Sequence, residues 1–411
     1  MGTDPAILAS GVCRIFERPI ISPLPLAREA ARGNTPRRPL MAVLRQKEPV
    51  SDINEKKVVF FGCPLDSDER DESVQEKLSC MGAGQTGDDP YPCVMAFIRK
   101  EVDPLLWEEI GSLEVPEWLR PVPPATEKGH LTAENFVAFI DNDGCRSFAE
   151  MLAEHVVGEI YPHIPCMLAV DHSLTGGVFE KLMTHYRPED TSLVILDSHT
   201  DALPAAIVSG AIQYDMETNP HSVYDPFDPF LKNRPESYNA SSFVRRLLEA
   251  GLVAPSNLYI IGISDYPPKR SFRIKDERIQ RYAGLYSGLK KCGVTLITKT
   301  DLLSSPSKIR SILGRIQTPH LYVSIDMDVG AGNALDGVRF RNWQGLNEKQ
   351  IYGIAGLMRE ILSRGTDLIG MDLTEFNPRR AGPSPFFPDD RTYRIAANLI
   401  RKLCFGLDEK P

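Results

Sequence analysis

A chain of 411 residues with 42% hydrophobic content is long enough to bury a large core, either as one extended α/β domain or as two or three smaller ones. A formal net charge of −8 argues against a general nucleic-acid surface. No apolar run approaches the ~20 residues that a bilayer-crossing helix needs, and no signal-peptide core follows Met1, so no membrane association is expected.

Residues 1–55 carry seven prolines and seven arginines and predict an irregular arm, packed on the body or used between subunits, rather than a folded domain. Glu17, Glu29 and the prolines argue against a mitochondrial transit peptide. From Lys57 strands and helices alternate. Val58–Gly62 reads as a strand, Cys145–Ile160 as a helix, Cys166–Val170 as a strand, and the stretch around Phe179–His185 as a helix. Leu193–Leu196 is the next strand, followed by a helix over Ser241–Ala250 that stops at Gly251. Strands at Asn257–Ile263, Gly293–Ile297, His320–Ile325 and Asp367–Asp372 follow, with helices at Asn347–Ser363 and Asp390–Cys404. Short continuous apolar strands between helices predict a mostly parallel sheet covered on both faces, a three-layer α/β/α domain spanning 56–411. Asp215–Ser237, rich in Pro, Asp and Asn, reads as an inserted loop near the site. The eight cysteines are scattered, with no Cys-x-x-Cys pair, which fits buried thiols in a reducing compartment such as the cytoplasm.

Three of the predicted strands run out into acidic and imidazole side chains. Leu193-Val-Ile-Leu is followed by Asp197-Ser-His199-Thr-Asp201, where alternation in an extended segment puts the two aspartates and the histidine on one face. Leu321-Tyr-Val-Ser-Ile ends in Asp326-Met-Asp328, and Cys166-Met-Leu-Ala-Val ends in Asp171-His172. A lone Asp-x-Asp is usually a loop or cap pair, but three such strand ends together imply one polynuclear metal site. Carboxylates mixed with imidazole suit Mn²⁺ ahead of Zn²⁺ or Fe²⁺. In open parallel sheets ligands gather beyond the carboxyl ends of the strands, where these motifs fall. Histidines 130, 155, 163, 185 and 320 read as solvated or structural, and Trp343 as packing.

These motifs resemble those of the arginase/agmatinase (ureohydrolase) family. Asp197-Ser-His-Thr-Asp201 is similar to its Asp-Ala-His-x-Asp, Ser324-Ile-Asp-Met-Asp328 to its Ser-x-Asp-x-Asp, and Asp171-His172-Ser173 to its Gly-Gly-Asp-His-Ser. Asp372-Leu-Thr-Glu375-Phe-Asn-Pro378 is similar to its Asp-x-x-Glu-Val-Asn-Pro, and the four occur in the family's order. The resemblance implies the arginase/deacetylase fold and two Mn²⁺ per chain. His172, Asp197, Asp201 and Asp326 would hold one ion; Asp197, His199, Asp326 and Asp328 would hold the other, with Asp197 and Asp326 bridging. Ions so held acidify a water into a nucleophile near neutral pH. Asp201 would take its proton and pass it to the leaving amine, and Glu375 would hydrogen-bond the substrate guanidinium. A homo-oligomer, trimeric or hexameric, is also implied.

The chain departs from the family where substrate is read. The family's Gly-Thr-Pro-x-x-Gly-Gly is replaced by a segment running from Val329 through Asp336 to Leu346. Arginases carry Ser-Gly-Asn-x-His, whose Asn reads the amino-acid carboxylate and whose His shuttles protons; here the chain has Ser209-Gly-Ala211-Ile-Gln213. Against the agmatinase pattern His-Gly-Thr-x-Phe, Asn239-Ala-Ser-Ser-Phe243 sets Asn239 in the histidine's place. Gln213, Asn239 and His221 of the insert are therefore the candidate substrate contacts. The expected activity is cleavage of a C–N bond in a small guanidino or amidine-like compound. The rival readings are a catalytically weak relative whose metal serves structure or partner binding, and a deacetylase-like amide hydrolase.

Overall fold

The computed structural model describes residues 56–81, 88–222, 224–228, 231, 234–341, 345–382 and 389–410. The arm at 1–55 and Trp343 lie outside the described residues.

The strands are β1 (Val58–Cys63), β2 (Trp107–Ser112), β3 (Ile164–Ala169), β4 (Thr191–Leu196), β5 (Leu258–Ile263), β6 (Thr295–Thr298), β7 (His320–Asp326) and β8 (Asp367–Thr374). They form one sheet in the order β2-β1-β3-β8-β7-β4-β5-β6, with every pairing parallel. Strands β1, β4 and β5 are buried along their whole length, as expected for a parallel sheet covered on both faces. Edge strand β2, with sequence Trp-Glu-Glu-Ile-Gly-Ser, is mostly exposed. It carries no apolar run, and its place in the sheet comes from pairing with β1.

Alternate residues of every strand but β2 enter separate cores. Val59 and Phe61 of β1, Met167 of β3 and Ile195 of β4 share one core with α4 (Gly144–Glu159), α5 (Ser173–Leu182), α7 (Phe243–Glu249) and α8 (Glu277–Cys292), while α1 (Asp71–Cys80), α3 (Ala133–Asp141) and α6 (Ala205–Thr218) add to the same side. Val58, Phe60, Leu168, Val194 and Ile325 meet α2 (Pro90–Glu101), α10 (Pro306–Leu313), α11 (Glu348–Leu362) and α12 (Thr392–Phe405) on the other, with α9 (Lys299–Ser304) leading into α10. The period-two alternation of the strands thus becomes the three-layer architecture.

Local signals set several boundaries. Helix α11 starts in a capping box between Asn347 and Gln350. Helix α7 ends with Gly251 at φ +68°, a conformation open to glycine, as the sequence predicts. The segment read as an insert begins later than expected: Asp215–Thr218 form the last turn of α6, and irregular chain starts at Asn219. Among the described residues no helix is long and apolar enough to cross a membrane.

Candidate metal centre

The four central strands β3, β8, β7 and β4 are neighbours in the sheet, and their carboxyl ends carry the motif residues side by side. His172 follows β3, Asp197, His199 and Asp201 follow β4, Asp326 closes β7 with Asp328 just beyond it, and Glu375 follows β8. Gly262 of β5 lets this end close up. A Cβ there would lie 2.5 Å from Val329 Cγ2 and 3.0 Å from the Asp197 carbonyl oxygen.

Two groups of potential ligand atoms result. His172, Asp197, Asp201 and Asp326 each offer one atom within 4.8 Å of the others, as do Asp197, His199 and Asp328. Asp197 belongs to both. His172 Nδ1 stands 2.7 Å from Asp201 Oδ2, 3.3 Å from Asp326 Oδ2 and 3.7 Å from Asp197 Oδ2. His199 Nδ1 stands 3.0 Å from Asp328 Oδ2 and 3.5 Å from Asp197 Oδ1. His172 Nδ1 and Asp197 Oδ2 are buried without a hydrogen-bond partner. Such orphaned atoms are costly unless something polar fills the space between them, and a cation fits this donor set.

The electrostatics point the same way. Burial, then the neighbouring Asp328 and Asp197, push the Asp326 carboxyl well above its ordinary range. Burial and Asp197 raise Asp201 to about 7. Burial opposes charge on His172, yet Asp201 and Asp326 outweigh it and raise its proton affinity well above normal. The cluster is short of positive charge, which divalent ions would supply.

Surrounding groups hold these side chains in place. His172 Nε2 is 2.9 Å from Ser324 Oγ, which donates to Asp372 Oδ1 at 2.6 Å, while the Tyr322 hydroxyl donates to Asp372 Oδ2 at 2.6 Å. This chain leaves Nδ1 facing the cluster. Ser198 Oγ donates to Asp328 Oδ1 at 2.7 Å. Phe243 and Phe340 set ring edges against His172 and His199. Asp201 and Glu375 have positive φ, 45° and 61°, a strained conformation for non-glycine residues that is often found at functional sites.

Asp171 is turned away from the cluster. Its Oδ1 accepts from the Ser173 N–H and hydroxyl, and its Oδ2 from Ser67 Oγ. Glu375 Oε1 accepts from the His172 N–H at 3.1 Å and from Arg339 Nη1 at 2.9 Å. Burial raises the Glu375 carboxyl to about 7, with Arg339 acting against the rise.

The candidate substrate contacts are placed elsewhere. Gln213 Nε2 donates to Leu231 O at 3.0 Å and Ser209 Oγ at 3.3 Å, beside a cleft of about 560 Å³ that Tyr224 also lines. Asn239 is buried, with Oδ1 accepting from Ser241 Oγ. His221 is exposed, its N–H bonded to Asn219 Oδ1. None of the three makes a hydrogen bond or ion pair to the cluster among the described residues. Ser198, Asp372 and Arg339 were not anticipated as site residues. Ser198 and Asp372 stand inside the quoted motifs; Arg339 has no local signal.

The fold and the paired groups define an α/β/α protein with a candidate metal site at the carboxyl ends of a parallel sheet. The chain belongs to the arginase family, whose model matches residues 132–406. Among solved structures it is similar to arginase from Bacillus caldovelox, at 16% identity and a TM-score of 0.53, over 85% of this chain and 98% of that one. Arginase from Bacillus subtilis gives 16% and 0.52 over 85% and 99%. Proclavaminate amidino hydrolase from Streptomyces clavuligerus gives 15% and 0.51 over 85% and 92%. At these identities the likeness speaks for the fold. No curated protein sequence matches the chain.

Proposed function

We propose that the chain is a hydrolase that uses two divalent ions, manganese first, to cleave a C–N bond in a guanidino or amidine-like compound, with urea released where the substrate is a guanidine. The observation that carries this reading is the membership of Asp197 in both candidate ligand groups, which suits a carboxylate shared by two ions and is not needed by a single-zinc amide hydrolase. Four aspartates against two histidines favour Mn²⁺ over Zn²⁺. The names of the solved relatives, arginase and amidino hydrolase, agree with such a substrate class.

In this reading His172, Asp197, Asp201 and Asp326 would hold one ion and Asp197, His199 and Asp328 the other; the family resemblance adds Asp326, which lies only in the first group here, to the second set. Divalent ions bound there would acidify a water and polarise the bond under attack. The chain's own residues do the rest. Asp201 takes the proton of the attacking water and returns it to the departing nitrogen. Ser324 and Asp372 keep the Nδ1 face of His172 toward the cluster. Glu375, beside His172 but outside both ligand groups, meets a substrate N–H through Oε2, which has no hydrogen-bond partner among the described residues. Cys63, Cys145 and Cys166 are buried free thiols, which supports a cytoplasmic working place; a trimer or hexamer is carried over from the family resemblance.

Elemental analysis followed by a screen of guanidino and amidine compounds, with urea and ammonia read separately, tests the proposal. Two Mn per chain and chelator-sensitive turnover are expected. One zinc per chain with amide hydrolysis would replace it by the deacetylase-like reading, and two ions without turnover by the catalytically weak one.

A further inference from the structure

The departure of the chain between Val329 and Leu346 places an arginine against the carboxylate that the resemblance assigns to the substrate. Arg339 Nη1 lies 2.9 Å from Glu375 Oε1, 3.3 Å from Asp171 Oδ2 and 3.3 Å from the Val170 carbonyl oxygen. Its Nε is buried without a hydrogen bond, 3.5 Å from Asp66 Oδ1. The Arg339 N–H donates to the Glu375 carbonyl, so backbone and side chain are both registered on the end of β8. An antiparallel bridge between Val338 and Phe376 fixes the same register.

Charge decides what this arrangement can receive. Around Arg339, four carboxylates (Asp66, Asp68, Asp171, Glu375) are met by four cations (Arg70, Lys77, Arg339, Arg379). Each carboxylate that borders Arg339 already has a cation against it. What remains is a mixed edge. Arg339 and Glu375 keep 6% and 10% of their side-chain surface exposed. Nη2 of the one and Oε2 of the other have no hydrogen-bond partner among the described residues. A fixed guanidinium donor beside a carboxylate acceptor complements a ligand that carries an N–H cation and an oxyanion close together.

We propose that Arg339 determines specificity here: its guanidinium reads a substrate carboxylate while Glu375 reads the adjoining guanidino N–H, so the site selects short, net-neutral guanidino acids over bare guanidinium cations. This rests on the C–N hydrolase reading and names its substrate class. Arginine, with its carboxylate far from the guanidine, and agmatine, with none, both fall outside it.

The test is equilibrium binding to the full-length, Mn²⁺-loaded protein, measured by calorimetry with guanidinoacetate, 3-guanidinopropanoate, methylguanidine and agmatine. Wild type should bind the two acids about 10- to 100-fold more tightly than methylguanidine or agmatine, as expected for one charge-assisted contact. Arg339→Gln should abolish that preference by weakening the acids and strengthening the cations, and Arg339→Lys should keep part of it. Equal affinity of wild type for guanidinoacetate and methylguanidine overturns the proposal, whether or not either variant folds. So does a folded Arg339→Gln protein that retains the preference. Turnover separates this result from the broader reading. Efficient hydrolysis of agmatine would leave the hydrolase standing and remove the role of Arg339. Arg339-dependent binding of the acids without hydrolysis of any C–N compound would do the reverse.

Discussion

The candidate ligand cluster and the ion-pair network beside it share the ends of the same strands, yet they are assembled differently. Asp197, His199 and Asp201 lie two residues apart, as do Asp326 and Asp328, so each motif brings its ligands together through the geometry of one strand end. The network joins residues far apart in the chain: Arg339 to Asp171 across 168 positions, and Arg379 to Asp66 across 313. In the cluster like charges crowd together, and a carboxylate oxygen and an imidazole nitrogen lack partners, whereas the unpartnered buried atoms of the network are the Nε of Arg339 and Arg379. In the network each carboxylate meets a cation, and Lys77, fully buried, is 3.3 Å from Asp66 Oδ2. The first region is built to receive positive charge. The second already contains it and works as a fixed wall.

If that contrast is right, substitutions in the cluster cost metal and those in the wall cost stability or selectivity. The largest effect is expected for Asp197→Asn. Loss of the carboxylate common to both groups should empty both positions and abolish activity, while the apo-protein keeps its fold by circular dichroism. Two ions per chain still bound in that variant would remove Asp197 from its bridging place.

Glu375→Gln should leave metal content intact and lower turnover by about 10²- to 10³-fold, because it removes a contact to the reacting group rather than a ligand. Metal loss in this variant would move Glu375 from the wall into the cluster.

Lys77→Met should lower stability by about 3 kcal/mol, read as a shift in denaturant midpoint, because it strips a buried carboxylate of one cation. Burial, opposed by Asp66, holds the Lys77 amine down to about 8. The metal content of the folded fraction should not change. Loss of metal without loss of stability would erase the distinction between the two regions.

The smallest effect is expected for Ser324→Ala. It breaks the link from His172 to Asp372 and should weaken metal affinity about 10- to 100-fold in a competition titration. Unchanged affinity would mean that packing by Phe243 alone orients the imidazole.

How much of this was legible beforehand follows the same division. Apolar runs bounded by charge located seven of the eight strands, because burial on both faces of a parallel sheet leaves a continuous hydrophobic signal. Edge strand β2 was missed because an exposed edge carries no such run. Helix α8 was not anticipated although Ile279, Tyr282, Ala283, Tyr286 and Leu289 recur at helical spacing; Gly284 and Gly288 break the pattern. Helix α6 runs straight through the segment where the insert was expected to begin, with its buried face set by packing on α8.

The sequence by itself determined the layered α/β plan and placed the candidate ligand residues at the ends of β3, β4 and β7. Those depend on periodicity and spacing within a few residues, and a strand end converts both directly into a shared face. Only the tertiary structure decided what stands opposite them. Arg339 reaches Glu375 because β8 lies between β3 and β7, and because the segment after Asp336 folds back along the end of β8. An ion pair between distant residues leaves no pattern in either segment; it exists only once the chain has brought its charges within reach and taken them out of water.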